Sequence, residues 1–321
     1  MSAVQQSPGA GVAGGRLRAT GSHAAGMGWG ERYVHYWLVL PAVLCMVAVL
    51  LYPMLYSLWV SLLDWKLGAA EQTFIGIRNY TDAFTSIFFQ TVLIQNVIYA
   101  IACVVVDFVV GMALALLLNQ KFRGRGFLRT LLLLPMLTAP VLAGFNFRWI
   151  FNDRFGLANQ IILWLGLGSP LPWLAEPNAA RITIVLATVW QGIPFFMLLL
   201  LAGLQALPTT PFEAAVVDGA SAWQRFRYIT LPLLRPVIVV AAALQLIDLF
   251  RAFDVIYIMT FGGPGHATEL FPFYTYRAAF SENRLGFACA LSWITLMISL
   301  VLLIPLFLRE GSGAEGEKAK R

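Results

Sequence analysis

Charged side chains interrupt several of the long apolar runs in this sequence of 321 residues. Asp248, Arg251 and Asp254 follow one another at intervals of three residues inside one such run. On a helix, this spacing places the three side chains on roughly one third of the circumference, where they could pair. Because ionisable groups are costly in apolar segments, each requires a partner or a function. Two interpretations stay open: binding of a hydroxyl-rich solute, or an ion pair that stabilises the helices.

Other polar residues lie in neighbouring apolar runs. Asp107 could relay protons in a proton-coupled carrier, but a single carboxylate favours a hydrogen bond between helices. Trp190 stands just before Pro194, and a proline loosens helical hydrogen bonding, so Trp190 could line a cavity. Three amides fit packing and solute binding equally well: Asn96, Gln191 and Gln245.

A polar segment between two apolar runs, residues 207–236, carries dense signals for local structure. Thr210 fits the N-cap of a helix, Pro211 fits its first position, and Glu213 completes a capping box with Thr210. Gly219 then suits the left-handed conformation at a helix end. The first half of the segment therefore predicts a short helix closed by a glycine turn.

The second half of this segment predicts another helix. Ser221 followed by Gln224 forms a second capping box directly after the glycine. Pro232 and Pro236 indicate that this helix stops before them. Its apolar face is formed by Ala222, Phe226 and Ile229. Such a unit would lie along the inner surface of a membrane.

The elements that must position these residues are membrane spans. The chain is 59% hydrophobic and 12% charged, and a soluble chain has about 25% charged residues. Six apolar runs reach the roughly 20 residues that a spanning helix needs. They lie at residues 36–63, 91–118, 130–151, 182–206, 236–259 and 286–308. No alternating segments of barrel strands are evident, so we predict an all-α integral membrane protein.

The distribution of Lys and Arg predicts the orientation of the spans. Fourteen of the 22 basic residues fall in the two terminal tails and in the second and fourth loops. Since basic loops stay in the cytoplasm, both termini are predicted to be cytoplasmic. We divide the chain into a disordered tail (1–35), a first span with an outer segment (36–90), a membrane core (91–308) and a second tail (309–321).

Composition and motifs argue against other classes of protein. The net charge of +6 is explained by basic cytoplasmic loops, so no nucleic-acid partner is expected. The three cysteines and three histidines show no disulfide or metal pattern. The phosphate-binding pattern of Gly, four residues, Gly-Lys-Ser/Thr is absent, so we expect no cofactor bound by this chain and no ATP hydrolysis by it.

The loop residues carry a resemblance to a known family. The pattern Glu-Ala-Ala, three residues, Gly, nine residues, Ile, one residue, Leu-Pro is matched by Glu213, Ala214, Ala215, Gly219, Ile229, Leu231 and Pro232. It resembles the signature of permease subunits of ATP-binding-cassette importers, of the carbohydrate-uptake type related to the maltose importer. Further similarity covers Asp218, the segment 251–254 and the glycine-rich segment 262–265.

The resemblance implies a type I importer fold and a role for the loop. In the family, this loop forms coupling helices that dock into a separate ATPase subunit, so Glu213, Ala214, Ala215, Asp218 and Gly219 are expected to contact it. Glu213 could alternatively only cap its own helix. Expected partners are the ATPase, a second related permease, an external solute-binding protein and membrane lipid. The solute implied is a sugar or related polyol.

Two other classes of function compete with this one. A secondary carrier driven by an ion gradient would use Asp107, but such carriers more often show two matching sets of interrupted helices. A membrane enzyme should show a nucleophile with a base, and no such constellation stands out. Neither class explains the motif in residues 207–236.

Overall fold

The computed structural model describes residues 29–318, without the side chains of residues 29–35, 37, 303 and 305–318. The described chain is mostly helical. Its α-helices are α1 (Trp29–Val60), α2 (Arg78–Thr85), α3 (Ile87–Asn119), α4 (Arg125–Leu137), α5 (Pro140–Ile150), α6 (Leu157–Trp164), α7 (Pro177–Ala206), α8 (Thr210–Val217), α9 (Ala222–Arg225), α10 (Leu231–Leu249), α11 (Asp254–Met259), α12 (Phe271–Tyr276) and α13 (Leu285–Lys318).

Two short strands and two π-helical turns complete the described elements. β1 (Leu63–Trp65) pairs antiparallel with β2 (Gln72–Phe74), with Asp64 opposite Thr73. The π-helical turns are Phe226–Thr230 and Arg277–Ser281. The chain divides into two units, Met1–Met54 and Leu55–Arg321. In the first unit the described residues belong to α1, and the second unit contains all the other elements.

Five described helices are long and apolar enough to cross a membrane, and the bent pair α4–α5 makes a sixth if it counts as one span. The prediction of an all-α membrane fold is confirmed. Within the second unit, α3 and α7 pack closely along their lengths. Gly111 of α3 permits this approach, because a Cβ there would stand 2.7 Å from Cβ of Phe196.

The third predicted span, residues 130–151, is not one continuous helix. Its residues fall in α4 and α5, which are bent by 95° at the break between them. Pro140 lacks a backbone N–H and excludes the helical conformation for the residue before it. Ala139 is accordingly extended, with φ −60° and ψ 136°. The proline therefore divides the span into two helices.

The second predicted helix of the loop does not stop before the prolines, which corrects that expectation. α9 leads through the turn Phe226–Thr230 into α10, and Pro232 and Pro236 both lie inside α10. In this turn the N–H of Leu231 donates to the carbonyl of Phe226, five residues earlier. The wider turn accommodates the ring of Pro232, so the helix continues.

The fifth predicted span, residues 236–259, is also interrupted. α10 ends at Leu249 and α11 begins at Asp254. No proline or glycine occupies residues 250–253, so no local signal marks this break. Phe250 and Val255, on either side of it, are both buried in the same apolar core. Tertiary packing, which local propensity does not describe, therefore accounts for the interruption.

The ends of the chain differ in part from the predicted tails. Residues 29–35 belong to α1 and residues 309–318 to α13, where composition predicts disorder. Each stretch adjoins an apolar helix, and extending a helix costs less than starting one. Leu63, predicted as the end of the first span, lies in β1. Residues 1–28 and 319–321 of the predicted tails lie outside the described residues.

Candidate functional site: a helical loop and a polar cavity

The loop after α7 folds as two short helices joined by a glycine. Gly219 has φ +74°, and two hydrogen bonds around it close α8. The N–H of Ala220 donates to the carbonyl of Ala215 at 2.9 Å, and the N–H of Gly219 donates to the carbonyl of Val216 at 3.1 Å. This pair of bonds is the Schellman motif, which needs a left-handed residue at the position of the glycine. The predicted glycine turn is confirmed.

The two predicted capping boxes have different outcomes. Ser221 Oγ accepts from the N–H of Gln224, and Gln224 Oε1 accepts from the N–H of Ser221, so the second box is confirmed. The first box is wrong: Thr210 is the first residue of α8, and Thr209 precedes it without a side-chain capping bond. Pro211 then falls one position later than predicted, and the carboxylate of Glu213 is left for other contacts.

The motif residues of the loop separate into exposed and inward groups. Glu213, Ala214, Asp218, Gly219 and Pro232 are exposed. Three others are buried or half-buried, and Leu231 packs against the apolar core: Ala215, Ile229 and Leu231. The exposed group can contact a partner, and the inward group attaches the loop to the spans.

Large apolar side chains extend the exposed face of the loop. Val217 is 87% exposed, Tyr228 73% and Trp223 68%, although they stand next to charged and polar residues. Beside them, Glu213 lines a groove of about 600 Å³ between α8 and the ends of α3 and α7. Exposed aromatic side chains such as Trp223 and Tyr228 are typical of a protein interface.

A cavity of about 610 Å³ lies among α4, α5, α7 and α10. The break between α4 and α5 contributes Thr138, and the break after α10 contributes the segment 251–254. The two irregular segments therefore face the same space. Backbone that is not helical is tolerated at membrane depth where it lines such a cavity. The middle of α7 and the end of α10 contribute Thr188, Gln191, Gly192, Phe195, Gln245 and Asp248.

The three charged residues singled out in the sequence all line this cavity. Asp248, Arg251 and Asp254 do not share one helix, because Arg251 lies in the break and Asp254 starts α11. Within the described residues, their side chains form no ion pair and no hydrogen bond with one another or with neighbours. The expected ion pair is therefore not formed among the described residues of this chain, and the three groups are available to a ligand.

Three further candidate residues have distinct positions. Gln191 lines the cavity, and its Nε2 donates to the carbonyl of Thr138 at 2.8 Å, which stabilises the break after α4. Trp190 lies behind it and contacts Phe147, with ring centroids 5.5 Å apart. Asn96 is fully buried elsewhere, and its Oδ1 accepts from the N–H of Phe271 at the start of α12. Trp190 and Asn96 are outside the cavity lining.

Asp107 forms a hydrogen bond between helices, as favoured from the sequence. Its Oδ2 accepts from Nε2 of Gln245 on α10 at 2.9 Å, and the residue is fully buried. Gly192 of α7 lies against this pair. Gly192 and Thr138 are cavity residues that were not predicted from the sequence. Pro140, two residues after Thr138, was a usable signal for the helix break at Thr138, whereas no local signal identified Gly192.

Apolar spans, an exposed helical loop at the end of α7, and a polar cavity between the spans define a membrane transport subunit. The family described as binding-protein-dependent transport system inner membrane component matches residues 107–309 of this chain. This range contains the loop and every residue that lines the cavity. The chain belongs to this family.

Individual relatives agree with the family over nearly the whole chain. A probable ABC transporter permease protein of Sinorhizobium fredii is 39% identical over 87% of this chain and 90% of its own length. The trehalose/maltose transport system permease protein MalF of Thermococcus litoralis is 36% identical over 88% of this chain and 94% of its own. The solved structure of a bacterial ABC transporter involved in alginate import has the same fold, with a TM-score of 0.75, 22% identity, and coverage of 87% and 96%.

Membership of the family establishes the class of function. The chain is a multi-pass permease subunit of an inner-membrane ABC importer and not an enzyme, since a separate ATPase subunit hydrolyses ATP. It works with a solute-binding protein and a second permease subunit. The alternative of a carrier driven by an ion gradient has no support.

Proposed function

We propose that this permease forms half of the translocation path for a sugar or related polyol, and that the solute passes through the cavity of about 610 Å³. One observation carries the proposal. Asp248, Arg251 and Asp254 are costly charged residues in an apolar chain, and all three face this one space without partners among the described residues. Hydroxyl groups of a sugar would accept from the guanidinium and donate to the carboxylates.

The charge of the cavity favours an uncharged solute. Its lining has two carboxylates and one guanidinium, so its net negative charge would repel an acidic sugar. The relative in Thermococcus litoralis is named for trehalose and maltose, both uncharged, and this supports the same solute class here. Phe195 and Phe253 add apolar ring surface to the lining, which suits the apolar faces of a sugar ring.

The loop is proposed to couple the spans to the ATPase. Glu213, Ala214, Asp218, Gly219 and Pro232 form the exposed contact surface, while Ala215, Ile229 and Leu231 face inward and attach the loop to the spans. A carboxylate at the first turn of α8 can accept hydrogen bonds from basic groups of a partner. ATPase closure would move this loop and so shift the bundle between its inward- and outward-open states.

Two further features belong to the proposal. Both termini are placed in the cytoplasm, because the basic residues concentrate in the tails and in the loops on their side, including the loop with Glu213. The chain is proposed to bind no cofactor itself, and ATP is bound by the partner subunit. Cysteine labelling from each side of the membrane at Ser2 and in the loop would test the orientation.

Co-purification tests the coupling. The chain would be co-expressed with its genomic neighbours, extracted in detergent, and compared as wild type, Glu213→Ala and Gly219→Pro. We expect the wild type to retain an ATPase subunit and to import trehalose or maltose in vesicles that contain ATP. Both variants should lose ATPase retention or coupled import, because they alter the exposed surface or the turn that presents it.

The matched control is Gly126→Ala. Gly126 lies in α4, and a Cβ there has no atom within 4 Å, so retention and import should stay at the wild-type level. A wild-type chain that holds no ATPase and yet imports either sugar with an ion gradient would overturn the proposal.

A further inference from the structure

The hydrogen bond between Asp107 and Gln245 lies directly behind the cavity wall. Gln245 and Gly192 line the cavity, whereas Asp107 of α3 is fully buried and does not. A buried carboxylate in a span is costly, and one of its oxygens, Oδ1, has no hydrogen-bond partner among the described residues. Packing alone would be served better by an apolar side chain here. The cost indicates that the carboxylate has a further role.

The surrounding backbone is shaped to let this pair meet. A Cβ at Gly192 would stand 2.5 Å from Oδ2 of Asp107 and 2.7 Å from Nε2 of Gln245. Heavy atoms do not approach so closely without displacement, so only glycine leaves room between α3 and α10 at this level. A second polar pair of this region, Tyr99 Oη with Thr188 Oγ1 at 2.8 Å, forms without Asp107, and Oγ1 of Thr188 also bonds to the carbonyl of Ile184. Asp107 therefore acts on Gln245.

The chemistry of the two groups determines what Gln245 presents. Nε2 of Gln245 donates to Oδ2 of Asp107, so the end of the amide that faces Asp107 is the nitrogen. The carbonyl oxygen of Gln245 is then the end of the amide left for the cavity. Without the carboxylate, the amide could turn and present its donor instead. Asp107 thus determines whether Gln245 offers a hydrogen-bond acceptor or a donor to the cavity.

We propose that Asp107 is a positioning residue that orients the amide of Gln245, so that the cavity presents an acceptor to a hydroxyl of the solute and discriminates between solutes by their hydroxyl pattern. This inference rests on the proposed function of the cavity. Asp107 itself contacts no solute.

The test measures a ratio of transport rates. The complete complex, with ATPase, partner permease and binding protein, would be reconstituted in liposomes, and initial uptake of trehalose and of maltose measured separately. In Asp107→Asn the amide can pair with either end of Gln245, so the ratio of the two rates should change by about 2- to 10-fold, as expected for one oriented hydrogen bond. A loss of folded complex lowers both rates equally and leaves their ratio unchanged.

Three variants separate positioning from structure. Asp107→Glu keeps a carboxyl group that can accept from the amide of Gln245 and should keep the wild-type ratio. Gln245→Leu should change the ratio by itself, and adding Asp107→Asn to it should change nothing further. Cys103→Ala, one turn earlier on α3 and equally buried, is the control for disturbance of the core and should leave the ratio unchanged.

The outcomes distinguish the inference from the proposed function. If the wild type imports both sugars and neither Asp107→Asn nor Gln245→Leu changes the ratio, the positioning role is wrong and the proposed function stands. If the wild-type complex imports neither trehalose nor maltose, the proposed solute class fails and the inference fails with it.

Discussion

The loop between α7 and α10 and the cavity between the spans are held in place by different means. The loop is organised by contacts within a few residues: the turn at Gly219 and the capping box of Ser221 and Gln224. The cavity is organised by contacts between distant parts of the chain, such as Gln191 with Thr138 and Asp107 with Gln245. A glycine turn or a capping box can be recognised in a sequence, whereas a cavity depends on which helices pack together.

Among the substitutions considered, one at Gly192 should disturb the packing around the cavity most strongly. In Gly192→Val the new side chain overlaps Asp107 and Gln245, and overpacking of this kind costs about 1–3 kcal/mol or more. The thermal unfolding midpoint of the purified complex should fall. The same substitution in open space, Gly126→Val, should stay within about 0.5 kcal/mol of the wild type. Equal midpoints for the two variants would show that the packing around Gly192 is looser than described.

Removing the cavity guanidinium should separate transport from coupling. In Arg251→Ala the solute loses a charge-assisted hydrogen bond, so sugar uptake should fall about 10- to 100-fold. Retention of the ATPase should be unaffected, because Arg251 lies beyond the end of α10 that is opposite to the loop. Glu213→Ala should show the opposite pattern, with the ATPase lost from the complex. If both variants lose the ATPase, the two regions are not separable.

A mild change at Gly219 tests how far the loop depends on one backbone conformation. Gly219→Ala meets no atom within 4 Å, so its only cost is the left-handed conformation, about 1–2 kcal/mol. ATPase binding should weaken by about 5- to 30-fold if that conformation is needed for docking. Unchanged affinity in a titration with purified ATPase would show that the loop docks in another conformation.

The smallest expected effect is at the start of α7, outside the spans. The N–H groups of Ala179 and Asn178 donate to Glu176, which holds the pKa of its carboxyl below the usual value. A lowered folded-state pKa adds stability above the unfolded pKa of about 4.3 and loses it as the pH falls through the folded value. The unfolding midpoint of Glu176→Gln should therefore lie slightly below that of the wild type at pH 7, and the two midpoints should converge in acid. A difference that is constant with pH would contradict this role.

The sequence was sufficient for the apolar regions that contain the spans and for the glycine turn, because apolar length and residue type decide both. The sequence was also sufficient to predict that Asp107 forms a hydrogen bond with a group on another helix. It was insufficient at residues 250–253, where packing of Phe250 and Val255 interrupts a segment without proline or glycine. Asp248, Arg251 and Asp254 were recognised as unusual, but their shared cavity follows only from that interruption.

Prolines were the least reliable of the local signals. Pro140 begins a new helix after a break, whereas Pro232 and Pro236 lie within a continuing one. The π-helical turn directly before Pro232 accommodates its ring. The capping box expected at Thr210 failed by one residue, since the helix starts at Thr210 itself. Neither outcome can be decided from residue type, because each depends on the turn that precedes the residue.

The continuity of α9 with α10 has a mechanical consequence. From Ala222 to Leu249 the chain is one helical rod of 28 residues, with the loop at one end and Gln245 close to the other. At a rise of about 1.5 Å per residue the rod is roughly 40 Å long, so a tilt of about 5° at the loop displaces the far end by about 3 to 4 Å. The helix therefore acts as a lever: a small rotation at its loop end would be enough to widen or close a passage of molecular width at its other end.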